Sequence, residues 1–125
     1  MVARAAPPRQ RRPLAEVAAE VARGEAGAEE LHQTFLAATV WCEAGERPGF
    51  VAIGAAGDGL IPVFTSPEQL ARARGAVAWF STTGADVLGL VPEGYDIALD
   101  MAGDAPLRLR MGALRTVLRP VVGWG

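Results

Sequence analysis

The sequence contains no lysine, a single histidine and a single cysteine among its 125 residues. One cysteine, Cys42, cannot close an internal disulfide, and a zinc site built on several thiolates is excluded with it. His32 is the only imidazole, so a transition-metal centre lacks donors, and no metal or cofactor is expected. Long hydrophobic runs are missing as well. No stretch approaches the roughly 20 apolar residues that span a bilayer. Glu16 and Glu20 interrupt the segment after the basic start, so it does not read as a signal peptide. These absences predict a cytoplasmic protein with no membrane partner. The missing lysine, taken with heavy use of alanine and glycine, points to a GC-rich bacterial genome and concerns codon supply more than mechanism.

Charge of one sign is concentrated only at the N-terminus. A net charge of −2 offers no overall attraction to phosphate backbones or anionic lipid, so no nucleic-acid partner is expected. Residues 1–13 nevertheless hold Arg4, Arg9, Arg11 and Arg12 and no acid. Arginines without interleaved aromatics do not make a nucleic-acid footprint, and residues 1–13 read as a flexible basic leader. The rest has the makings of a core: half of the sequence is hydrophobic and 21% is charged, over the length of one domain. We read residues 14–119 as that domain and 120–125 as a tail.

Leu14, Val17, Ala18 and Val21 recur at i, i+3, i+4 and i+7 and predict one face of a short helix. Gly24 and Gly27 are its stop signals. A second helix then places Leu31, Phe35, Leu36 and Val40 near one face, with Glu29 and Glu30 where the helix dipole favours negative charge. From Thr39 the pattern changes to strands. "TVWCE", "FVAIG" and "LIPVF", separated by "ERPG" and "AAGDG", predict a three-stranded antiparallel meander over 39–64. Pro62 cannot donate to a ladder and is expected at an edge or a bulge. Ser66 caps the next helix, Pro67 takes its first position, and Gln69 completes an S-x-x-Q capping box. "AVAWF" reads as a fourth strand and "STTGADVLGLV" as the start of a short helix with Thr83 and Asp86 in a T-x-x-D arrangement. "YDIALDM" is a fifth strand, with Ile97, Leu99 and Met101 on one face and Asp96, Ala98 and Asp100 on the other. "LRLR" can pair back on it, and "GALRTVLR" reads as a final helix stopped by Pro120. The sum is an α+β fold: a mixed sheet of about five strands beginning with an antiparallel meander, with short helices mainly on one face.

Reactive chemistry finds little support in this pattern. A Cys–His nucleophile needs contact and a third, orienting group. His32 is expected on the solvent side of the second helix, whereas Cys42 is expected as a small buried hydrophobe in a strand. Asp96 and Asp100 share a predicted strand face but stand roughly 13 Å apart at strand rise, too far for an acid–base dyad. "GAAGDG" precedes a strand rather than a helix, so its glycines read as a turn and not a phosphate loop. "STTG" could hold an anion on free amides, although a plain helix cap accounts for it. Trp79 and Phe80, adjacent on a strand, must point to opposite faces, and one of them therefore leaves the main core.

With those residues in view, "LIPVFTSPEQLARAR" followed by "AVAWFSTTGADVLGLVPEGYDIALDMAGDAPLRL" resembles the SseB protein N-terminal domain family. The run is Pro62, Val63, Phe64 and Thr65 closing a strand, a capped helix, then Gly84, Ala85 and Asp86, then Pro92, Gly94 and Tyr95, and the likeness extends over about 31–118. It implies a small α+β domain with no established catalytic residues. The family takes its name from a serine-sensitivity effect, and related genes have been associated with secretion systems. Many members continue into a further domain, so a role that needs that part is not expected of these residues alone. The expectation is a non-enzymatic accessory or regulatory module that binds another protein, with a homo-oligomer as one form of it. The alternatives are a small-ligand or anion binder at the "STTG" helix start and, last, a hydrolase using Cys42 or the aspartates. The candidate interaction surface comprises Trp79, Phe80, Thr82, Thr83, Gly84, Tyr95 and Asp96.

Overall fold

The computed structural model describes residues 12–46 and 49–111. The predicted leader up to Arg11, the final helix, the Trp124 tail and the middle of the "ERPG" turn lie outside the described residues. The elements in chain order are α1 (Leu14–Ala22), α2 (Ala28–Ala37), β1 (Thr39–Glu43), β2 (Gly59–Val63), α3 (Pro67–Arg74), β3 (Trp79–Thr83), α4 (Gly84–Leu90), β4 (Tyr95–Leu99) and β5 (Leu107–Leu109). This is an α+β fold in two sheets. β1 and β3 pair antiparallel, while β2 pairs parallel with β4 and β4 antiparallel with β5. The sheets meet at a single bridge, where Trp41 and Phe64 exchange N–H···O bonds of 2.9 Å in both directions.

Strand parity decides what each face does. Val40 and Cys42 of β1, Ile61 and Val63 of β2, Ile97 and Leu99 of β4 and Leu109 of β5 all enter one core. The same core takes Leu14, Val17 and Ala18 from α1, Leu31 and Phe35 from α2, and Val87 and Leu88 from α4. Phe64 and the α3 residue Leu70 are also buried, but outside that cluster, and α3 lies against β1. The helices are thus mainly on one face, with α3 as the exception.

Several expectations change in detail. "FVAIG" is not a strand: it makes only single bridges, Ala44 to Phe50 and Ile53 to Leu60, so the antiparallel meander over 39–64 is replaced by a parallel β2–β4 pair. Pro62 explains where the β1–β2 pairing fails. The neighbouring Leu60 and Phe64 turn their N–H groups away from β4, toward Ile53 and Trp41, and Pro62 between them has no N–H to offer. Val40 belongs to β1, since α2 ends at Ala37 and Ala38 is already extended. β3 runs over 79–83 and not 76–80, because the β-branched Thr82 and Thr83 carry the strand up to the helix. β4 stops at Leu99. Asp100 has φ of +50° and leaves the strand, so it shares no face with Asp96, and Met101 is only partly buried.

Arg12, the last arginine of the predicted leader, is tied into the fold. Its guanidinium meets Glu16 at 2.8 Å and Glu20 on α1, and Glu30 on α2 at 2.7 Å, which pins the two helices together at their solvent side. No helix among the described residues is long and apolar enough to cross a membrane.

Candidate functional site

The corner after β2 is built from three side chains. Ser66 accepts from the Gln69 amide at 3.1 Å and so caps α3, with Pro67 at the first helical position. The Gln69 side chain does not reach back to complete the capping box; its Oε1 is buried without a hydrogen-bond partner. The third member is Asp100. Its carboxylate accepts from the Thr65 amide at 2.8 Å and from the Thr65 hydroxyl at 2.7 Å, and its own N–H donates to the Val63 carbonyl at 2.9 Å. The corner is thereby a structural clamp between the ends of β2 and β4.

The only thiol and the only imidazole do not act together. Cys42 lies in β1, and burial pushes its thiol up to about 12, so thiolate is scarcely present at neutral pH. His32 is buried on α2 and does not face solvent as the sequence suggested. α2 is packed between α1 and α4, which widens its buried stripe beyond Leu31 and Phe35. Burial lowers the His32 pKa, against a smaller opposing effect of Glu29, and its Nδ1 has no hydrogen-bond partner. No hydrogen bond joins His32 to Cys42.

The carboxylates are dispersed, each with its own partner. Asp86 accepts from the Thr82 hydroxyl at 2.9 Å, and Asp104 is fully exposed, 3.7 Å from Arg72. Asp96 accepts from the Arg108 guanidinium at 3.0 Å and the Met111 amide at 2.9 Å. Burial works to raise the Asp96 pKa, but those two donors outweigh it and hold the group below the usual carboxylate value. Among the described residues no group of three or more His, Cys, Asp or Glu is placed to hold a metal ion.

The "STTG" segment is mostly strand. Its helix start has one capping bond, from the Asp86 amide to the Thr83 hydroxyl at 3.1 Å, and the Asp86 carboxylate stands there too. That charge disfavours an anion at the same place. Gly84 is buried, not at the surface. A Cβ there would lie 1.8 Å from the Phe35 carbonyl oxygen, so glycine is required by the close approach of α2.

The remaining candidate residues fall on two sheets. Tyr95 and Asp96 begin β4, which is separated from β3 by β1 and β2, so they do not border Trp79. Phe80 and Thr82 turn inward with Val40 and Cys42, and the Phe80 ring sits on Phe50 with centroids 6.2 Å apart. Trp79, Ser81 and Thr83 face outward, and Trp79 is 50% exposed. Trp41 is on the same outward face: it pairs with Ser81 in register, which sets it diagonal to Trp79. Sequence reasoning missed Trp41 as a surface residue, although its parity opposite a buried Cys42 is the signal that reveals it. Trp41 also lines a cleft of about 700 Å³ with Thr39, Thr65, Gln33 and Thr34, while a smaller hollow beside Trp79 is walled by Leu70, Ala71 and Val77. The outward face of β1–β3 is therefore aromatic and hydroxyl-bearing, with a hollow at each tryptophan, and α3 packs on part of it, its Arg74 held 2.6 Å from Glu43 opposite Trp79.

No curated protein and no solved structure matches this sequence. The family model described as the SseB protein N-terminal domain matches residues 12–116, starting at the arginine that clamps α1 to α2 and taking in the Ser66 corner, the outward β1–β3 face and β4. The chain belongs to the SseB N-terminal domain family.

Proposed function

We propose that the domain is a non-enzymatic protein-interaction module, accessory or regulatory to a larger bacterial cytoplasmic process such as secretion, and that it docks its partner on the outward face of β1 and β3. The observation that carries this reading is the exposure of Trp79 at 50% beside Trp41 on one sheet face. Exposed Trp79 beside half-buried Trp41, rimmed by Ser81, Thr39 and Thr83, has the composition of an interface centre, where Trp contributes strongly because its ring desolvates at little entropic cost. A silent thiol, a buried imidazole whose Nδ1 has no hydrogen-bond partner, and dispersed carboxylates support the non-enzymatic part.

The test is a pair of serine substitutions read for folding and for affinity capture of a cellular protein by the immobilised domain. Trp79→Ser should leave the unfolding midpoint nearly unchanged and abolish stoichiometric capture. Phe80→Ser should lower the midpoint, because it removes a ring packed on Phe50. Capture that survives Trp79→Ser would refute this face as the docking site.

A further inference from the structure

We infer that β3 is a self-pairing edge: two copies of this chain join antiparallel through Trp79–Thr83 about a two-fold axis at Ser81. The inference deepens the interaction reading, on which it rests, by naming a partner for the strand.

The hydrogen-bond phase of the sheet shows which groups are free to do this. Trp41 spends its N–H and C=O on Phe64, so alternation leaves Val40 and Cys42 to bond β3. Their opposites are Thr82 and Phe80, and the ladder continues in phase at both ends, with Ala44 N–H donating to Ala78 at 2.8 Å and Gly84 N–H to Ala38 at 3.0 Å. Trp79, Ser81 and Thr83 must then direct their backbone groups away from β1. Among the described residues none pairs with that edge.

Among the described residues the outer edges of β3 and β5 are treated differently. β5 is three residues long, carries Arg108 at its centre and follows Pro106, which are the usual devices against strand addition. β3 is five residues long and has no charge, no proline and no bulge. It is also self-complementary. With Ser81 on the axis, Trp79 faces the partner's Thr83 on the outward side and Phe80 faces the partner's Thr82 on the inward side. Both are aromatic–β-branched pairs, which favour a ladder, and no charge meets its like. The two Ser81 residues exchange both their bonds, and each Thr83 N–H meets a Trp79 carbonyl.

The axis makes the test specific. Sedimentation equilibrium over a concentration series should show the wild-type mass rising to that of a dimer. Ser81→Arg and Ser81→Glu should each be folded monomers by circular dichroism, because the axis sets each new charge against itself. An equimolar mixture of the two should restore the dimer mass. A wild type that is monomeric at every concentration, a dimer indifferent to both charges, or variants that do not re-pair would overturn the proposal. A monomer that still captures another protein through Trp79 would discard the second copy and leave the interaction face standing. A Ser81-dependent dimer with no Trp79-dependent capture would do the reverse.

Discussion

Asp100 shows how much one residue carries in this fold. It is 8% exposed, sits at φ of +50°, and answers both the amide and the hydroxyl of Thr65. Aspartate and asparagine tolerate the left-handed region better than other side chains, and their short polar ends can bond nearby backbone. Asp100→Ala should therefore destabilise by roughly 2–4 kcal/mol, the cost of an orphaned donor plus left-handed strain. Asp100→Asn keeps the conformation and one acceptor, and should lose clearly less in urea unfolding. Equal losses would show that the charge, not the turn, holds the corner. In the sequence this residue reads as one more acid on a strand face, because its real partner is 35 positions away.

At the scale of elements, α3 separates a cap that works from one that only looks complete. Ser66→Ala should cost about 1 kcal/mol in urea unfolding, the usual loss for an N-cap hydroxyl. Gln69→Leu should be neutral or slightly stabilising, since the Gln69 Oε1 is already buried without a partner and its removal relieves an unmet polar group. A working capping box would instead make Gln69→Leu a loss. The N-cap was legible because it depends on residues three apart. The fate of Gln69 was not, since its side chain lies beside Gly103 of a distant turn, where an added Cβ would stand 2.8 Å from its Oε1. β3 shows the same division. Its adjacent rings announce opposite faces, but which ring is exposed depends on Phe50 covering Phe80.

The whole molecule should be most stable between two pH limits set by its only imidazole and only thiol. Burial lowers the folded-state pKa of His32, so its contribution is present above the ordinary histidine value near 6.5 and is lost as pH falls below it. Burial raises Cys42 to about 12 from 9.0, so the unfolded chain ionises first, and stability falls as pH rises through that window. Asp96, with a lowered pKa, adds a further loss in stronger acid. His32→Leu should flatten the decline between neutral pH and mild acid. Cys42→Ala should carry a packing cost near neutral pH that shrinks above pH 9, when measured as the difference from wild type in chemical unfolding. Parallel profiles for wild type and Cys42→Ala across that range would contradict the buried-thiol account.

The sequence alone determined the α+β class, both N-terminal helices, the Ser66 and Thr83 caps, the return of "LRLR" onto β4 and the family. All but the family rest on periodicity, turn chemistry or capping over a few neighbouring residues; the family rests on the likeness of a long run of sequence. Tertiary structure decided the rest. It paired β2 parallel with β4 where a meander was expected, and it split the sheet at Pro62. It buried His32 between helices, closed Gly84 beneath α2, and set Trp41 beside Trp79 on the sheet face that α3 only partly covers. Those outcomes depend on which distant segments meet, because a strand exposes the same two faces to any neighbour and only the neighbour determines which of them stays dry.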